Sequence, residues 1–163
     1  MKKILVVSDT HGNNKNLRKL IAMHKSPDML IHLGDGEGIE NQIDDMVGPE
    51  TVLYMVKGNN DFFSGLDRDM EVDIYGHRAF LTHGHMYGVS VGASGVAEEA
   101  ASRGCELAFF GHTHRPFCDE VEGIRCINPG SLSYPRQADR KCSFMLIEVD
   151  NFGRLHFHQG TVD

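Results

Sequence analysis

Asp9 and His11 close an apolar run, Ile4-Leu5-Val6-Val7, with a carboxylate and an imidazole two residues apart. In extended chain, residues i and i+2 project to the same side. The pair can therefore converge just beyond a strand end, and one oxygen with one nitrogen at that spacing suits a divalent cation. A single such pair also suits a turn or a cap. The pattern recurs, however, at Gly34-Asp35, Gly58-Asn59, His83-Gly84-His85 and Gly111-His112-Thr113-His114. Each fragment follows a stretch that reads as a strand. In open α/β sheets, sites form beyond the carboxyl ends of strands, where loops converge. Glycines let the chain turn sharply there and leave room for ions and substrate.

The elements that must position these residues alternate between strand and helix. Ile4 to Val7 is the first strand, followed by a helix capped by Asn13-Asn14 and running to about His24, with Leu17, Leu20 and Ile21 as its apolar stripe. Met29 to Leu33 is the second strand, Ile39 to about Met46 a short helix, and Thr51 to Val56 the third strand. Met70 to Tyr75 and Arg78 to Thr82 read as a hairpin. Val91 to Ser102 reads as an alanine-rich helix stopped by Gly104. Glu106 to Phe110 is a strand, Phe117 to Val121 pairs with Ile124 to Ile127, and Cys142 to Val149 with Leu155 to Phe157 forms a closing hairpin. No repeat or linker interrupts the chain, and residues 1–163 read as one α/β domain.

Composition narrows the function classes. Apolar content of 40% is that of a chain that folds around a core, not of a disordered one. No apolar run is long enough to span a bilayer, and the Met1 to Val7 segment ends too soon for a signal peptide, so no membrane role and a cytoplasmic location are expected. Cys105, Cys118, Cys126 and Cys142 form no Cys-x-x-Cys pair and read as small hydrophobes. A net charge of −7 argues against stable nucleic-acid binding. It leaves room for a phosphate substrate, because bound cations reverse the local sign.

The ordered set Asp9-x-His11, Gly34-Asp35, Gly58-Asn59, His83-Gly84-His85 and Gly111-His112-x-His114, with Asn128-Pro129-Gly130-Ser131 beyond it, resembles the calcineurin-like metallophosphoesterase superfamily. The short chain looks most like its small prokaryotic phosphodiesterase (YfcE-like) branch. The resemblance implies two mixed β-sheets packed as a sandwich flanked by helices, a four-layer fold with a two-metal site at one edge. It also implies a first metal on Asp9, His11, Asp35 and His114, and a second on Asp35, Asn59, His83 and His112, with Asp35 bridging. Two divalent ions are implied, with manganese expected and iron, nickel, cobalt or zinc compatible with these nitrogen and oxygen ligands. The implied chemistry is attack on a phosphate ester by a hydroxide bridging two dications about 3.5–4 Å apart.

One position departs from many relatives. The residue after the motif asparagine is Asn60, not a histidine able to protonate the leaving group. His85 is a substitute acid or a packing residue. Asn60 and Arg115 are read as substrate contacts, and Arg136, Arg140 and Lys141 as a solvated loop. Asp61 is expected to orient its neighbours and His32 to pack in the core or behind the ligands. Asn128 is expected to support the His112–His114 turn or touch substrate. His24, His77, His156 and His158 read as surface residues, and Met23, Met29, Met46 and Met55 as core filling. The leading function is a metal-dependent phosphodiesterase acting on a small ester. A phosphomonoesterase and a non-catalytic metal-binding scaffold are the alternatives, and exposed strand edges make a homo-dimer or homo-tetramer reasonable.

Overall fold

A computed structural model describes residues 1–162. The strands are β1 (Lys2–Val7), β2 (Met29–His32), β3 (Val52–Met55), β4 (Asp69–Ile74), β5 (His77–Thr82), β6 (Leu107–Phe109), β7 (Pro116–Val121), β8 (Ile124–Pro129), β9 (Cys142–Val149) and β10 (Leu155–Val162). The helices are α1 (Lys15–Met23), α2 (Glu40–Val47) and α3 (Ser94–Ser102). One five-stranded sheet has the order β10-β9-β1-β2-β3 and the other β4-β5-β6-β8-β7. Both are mixed. In the first, β1, β2 and β3 run parallel while β9 pairs antiparallel with β1. In the second, β5, β6 and β8 run parallel and are flanked by antiparallel β4 and β7.

The period-two alternation of β1 explains the layers. Ile4 and Val6 face the second sheet and pack with Ile31, Leu81, Phe109, Ile127 and Met145. Leu5 and Val7 face the other way, onto Leu17, Leu20 and Ile21 of α1 and Ile43 of α2. On the far side of the second sheet, Phe80, Ala108 and Cys126 pack against Val96, Ala97 and Ala100 of α3. Helix, sheet, sheet, helix is the resulting order, as the resemblance implies. A strand buried on both faces needs apolar residues at every position, which is why β1 reads as a continuous run.

Three details differ from the sequence reading. The helix expected from Val91 begins at Ser94, because Gly92 takes a positive-φ backbone (φ 147°, ψ 175°) open to glycine and the preceding segment forms two 3₁₀ turns instead. β10 continues to Val162, well past Phe157, since its whole length pairs with β9. Met23 is 59% exposed and fills no core. Among the described residues, no helix is long and apolar enough to cross a membrane.

Candidate metal centre

The loops after β1, β2, β3, β5 and β6 meet at one edge of the sandwich. Backbone bonds stitch the first two together: Asp9 N–H donates to Gly34 O (3.0 Å), His11 N–H to Asp35 O (2.8 Å) and Gly12 N–H to Gly36 O (3.0 Å). Gly111 N–H donates to His83 O (3.0 Å), joining the two histidine loops. Five of the residues expected as ligands adopt left-handed backbone: Asp9 (φ 55°), His11 (50°), Asp35 (56°), His112 (69°) and His114 (59°). Non-glycine residues held there cost of order 1–3 kcal/mol each. The surrounding structure must over-determine them, and it does so with buried hydrogen bonds.

Asp9 is fully buried. Its Oδ2 accepts from Ser8 Oγ–H (2.6 Å) and His112 N–H (3.1 Å). Its Oδ1 has no hydrogen-bond partner, although His114 Nε2 lies 3.2 Å away and the Nε2 atoms of His11 and His83 each lie 3.7 Å away. Asp35 Oδ1 accepts from Asn60 N–H (2.8 Å) and Oδ2 from Asn60 Nδ2 (3.0 Å). His83 Nε2 stands 3.4 Å from Asp35 Oδ2 and is itself buried without a hydrogen-bond partner.

Each inward imidazole is oriented from behind. His83 Nδ1 donates to Leu33 O (2.6 Å), His114 Nδ1 to Tyr134 O (2.7 Å) and His11 Nδ1 to Glu37 Oε2 (3.1 Å). All three therefore present Nε2 to the centre, the arrangement that metal-ligating histidines adopt. The Nε2 atoms of His11 and His114 face each other at 3.1 Å. Two lone pairs and a carboxylate oxygen pointed at one spot repel one another unless a cation sits between them. The orphaned Asp9 Oδ1 and His83 Nε2 mark a second such spot beside Asp35.

The electrostatics agree. Burial pushes the Asp9 carboxyl up, but the neighbouring imidazoles of His11, His114 and His83 outweigh it and hold the group well below the usual carboxylate range. Burial likewise opposes ionisation of Asp35, and the nearby His83 imidazole, with the hydrogen bond from Asn60 N–H, overcomes it. The adjacent Asp9 carboxylate raises the His11 imidazole. Burial pushes His83 down, yet Asp35 and Asp9 raise it more. A metal bound at these nitrogens and oxygens would compete with protons for the same atoms.

The residues thus form two groups able to hold a cation, Asp9 with His11 and His114, and Asp9 with Asp35 and His83. Asp9 is common to both, whereas the resemblance gives the shared position to Asp35. Asn59 and His112 lie toward solvent as a converging pair, with Asn59 Oδ1 3.1 Å from His112 Nδ1. Burial and His83 push both the His112 and His85 imidazoles down. His85 lies with its ring 5.5 Å from that of His83 and 6.0 Å from that of His112, and its buried Nδ1 lacks a partner. Asn60 is occupied with Asp35. Arg115 lies outside the cluster, on an adjoining pocket.

Behind the ligands, Asp61, Asn128 and His32 take supporting positions of the kind expected of them, and Ser133 adds one the sequence did not suggest. Asp61 accepts from the backbone N–H groups of Asp35, Glu37 and Gly58, each at 2.8 Å. Buried Asn128 donates to Gly111 O (3.1 Å) and Thr113 Oγ1 (2.9 Å) and accepts from Gly130 N–H (2.9 Å), so it supports the turn and is not open to substrate. Ser131 and Ser133 hydroxyls donate to Asp9 O and Thr10 O, both at 2.7 Å. His32 is buried, accepts at Nδ1 from Gly34 N–H (3.2 Å) and meets Thr10 Oγ1 at Nε2 (3.0 Å). His77 is half-buried, between Glu106 Oε1 (3.0 Å) and Gly153 O (2.7 Å).

Residues 1–152 match the calcineurin-like phosphoesterase superfamily domain. A probable metallophosphoesterase of Bacillus subtilis strain 168, YsnB, is 30% identical over 150 residues, covering 91% of this chain and 85% of the relative. Phosphodiesterase YfcE of Escherichia coli strain K12 is 26% identical over 160 residues, covering 83% and 82%. A conserved Streptococcus pneumoniae TIGR4 protein, described as a predicted phosphoesterase, superposes with a TM-score of 0.79 at 22% identity, covering 99% of this chain and 98% of that one. The chain belongs to the calcineurin-like phosphoesterase superfamily. It is a metal-dependent phosphoric ester hydrolase, with residue groups that could hold the divalent metal this family implies.

Proposed function

We propose that the chain is a phosphodiesterase that hydrolyses a small phosphate ester at a centre of two divalent ions, manganese in the cell. The observation that carries this reading is the pair of buried, unpartnered atoms, Asp9 Oδ1 and His83 Nε2, within a cluster of two carboxylates and three imidazoles. Asp9, His11 and His114 would hold one ion, and Asp35 and His83 the other, completed by Asn59 and His112. Bound divalent ions supply an activated water and positive charge for the phosphoryl oxygens. The chain's own contribution is position. Asn60 fixes Asp35 through both carboxylate oxygens, and Leu33, Tyr134 and Glu37 fix the three inward rings. His85 is the imidazole placed to assist a leaving alcohol. Its lowered pKa makes it a stronger acid when protonated but a scarcer one at pH 7. That favours esters with good leaving groups. The four cysteines are free, which suits a reducing compartment, and the cytoplasm is the proposed location.

The test is hydrolysis of bis-p-nitrophenyl phosphate and p-nitrophenyl phosphate by chelator-stripped protein, before and after Mn²⁺ is added. Mn²⁺-dependent cleavage of the diester, lost in Asp35→Asn, is expected. Preferential cleavage of the monoester would replace the diesterase reading with a phosphatase. Failure of Mn²⁺, Ni²⁺ and Fe²⁺ alike to restore activity would overturn both.

A further inference from the structure

Beside the metal centre lies a pocket of about 500 Å³ that none of the ligands fills. Its floor is apolar, from Val89, Ala93, Phe110 and Phe117, and its rim carries Arg115 and Arg136. Thr113 of the His112–His114 loop lines it, and its Val89 backs onto the other histidine loop. Val89 packs where Gly84, between His83 and His85, leaves no room for a side chain; a Cβ there would come within 2.9 Å of it. On the other side, Thr113 lies between His112 and His114, and Arg136 N–H donates to His114 O (3.1 Å). A group seated in this pocket therefore lies against one ligand-bearing loop and next to the other.

The two guanidinium groups are the informative feature. Arg78 and Arg103 make ion pairs with carboxylates. Neither the Arg115 nor the Arg136 guanidinium has an ion pair or hydrogen bond among the described residues, and no acidic side chain lines the pocket. In a chain of net charge −7, two unpaired guanidiniums on one rim form a local positive field. Guanidinium recognises carboxylate and phosphate through paired N–H donors. Phe117, 37% exposed and 6.3 Å from Phe110 between ring centroids, offers a flat apolar surface below them. The volume is in the range of small-molecule sites, about 300–1,000 Å³.

Resting on the phosphodiesterase reading, we infer that the substrate is a phosphodiester with a second anionic group, phosphate or carboxylate, borne on a flat or apolar body. The body sits on Phe117 and Phe110, the second anion between Arg115 and Arg136, and the scissile phosphate at the metal centre. Arg136, read from the sequence as a solvated loop residue, is in this account a specificity determinant.

The test uses two esters that differ by one phosphate, thymidine 5′-(p-nitrophenyl phosphate) with and without a 3′-phosphate, on the Mn²⁺-loaded protein. Guanidinium–anion hydrogen bonds on a partly exposed rim are weaker than shielded ones. A preference of about tenfold in kcat/KM for the 3′-phosphorylated ester is therefore expected. In Arg136→Gln and Arg115→Gln, the ratio between the two esters should fall to about twofold or less, with partial recovery in Arg136→Lys. Calorimetric titration with thymidine 3′,5′-bisphosphate should show the same ordering of affinities. Equal kcat/KM for the two esters in the wild type, or a preference unchanged in the double Gln variant, would overturn the inference. If neither ester is cleaved with any metal, the phosphodiesterase reading fails. The titration then decides the pocket by itself, since bisphosphate binding equal in wild type and double variant would refute it.

Discussion

Replacing Gly58 with alanine tests whether the ligand cluster is set by steric closure. A Cβ on Gly58 would lie 2.1 Å from Asp35 Oδ1 and 2.4 Å from Asp35 N. Ordinary contact begins near 3.4 Å, so the gap to be opened is 3.4 minus 2.1, about 1.3 Å. Neither neighbour can yield alone: Asn60 N–H holds Asp35 Oδ1, and Asp61 Oδ2 accepts from both Asp35 N–H and Gly58 N–H. Overpacking of this kind costs about 1–3 kcal/mol. At about 2–4 °C per kcal/mol for a chain of this size, Tm should fall by roughly 2–12 °C. A displacement near 1 Å at a reacting centre costs about 100-fold in rate. Thermal denaturation with and without Mn²⁺, together with hydrolysis of bis-p-nitrophenyl phosphate, reads both effects. Gly65→Ala is the control, because nothing lies within 4 Å of its Cβ. A Gly58→Ala protein with wild-type Mn²⁺ affinity and activity within twofold would refute the steric argument.

Two other perturbations probe the support of the site. Burial lowers the His32 imidazole to about 4 from its ordinary 6.5. Above pH 6.5, folded and unfolded chains both hold it neutral; between 6.5 and 4 the unfolded chain carries the extra proton, so stability falls as pH falls, by about 1.4 kcal/mol per pH unit and about 3 kcal/mol in all. Urea unfolding of the metal-free protein across pH 4–7 should show a shallower dependence in His32→Gln, and identical slopes would remove His32 from the account. Asn128→Ala leaves Gly111 O, Gly130 N–H and Thr113 Oγ1 without their buried partner, for a loss of about 3 kcal/mol or more. Mn²⁺ affinity should drop about 10–100-fold with it; unchanged affinity would show that the His112–His114 loop holds its shape unaided.

The apolar runs that end in Gly, Asp, Asn and His made the strands' places along the chain and the site edge readable, because a buried parallel strand and a strand-end ligand each leave a local signature. What stayed hidden depends on distant contacts. The left-handed backbone at Asp9, His11, Asp35, His112 and His114 is not dictated by residue type: Asp and His tolerate it better than most side chains, yet usually adopt negative φ. Nor does the sequence show that Asn60 is engaged with Asp35, 25 residues away, or that Ser131 reaches Asp9 O across 122. Arg136 looks like a loop cation until the fold sets it on the same pocket as Arg115. The glycines carried a different message from the one read. At Gly34, Gly58 and Gly111, a Cβ would strike the ligand residues His83, Asp35 and Asp9, so these glycines make room for ligands as well as for ions.

The central claim is that this cluster holds two divalent ions. Equilibrium titration of chelator-stripped protein with Mn²⁺, counting ions bound per chain, tests it most directly. Two ions per chain in the wild type and fewer in Asp9→Asn and Asp35→Asn are predicted. No specific uptake, or the same count in all three proteins, would contradict it.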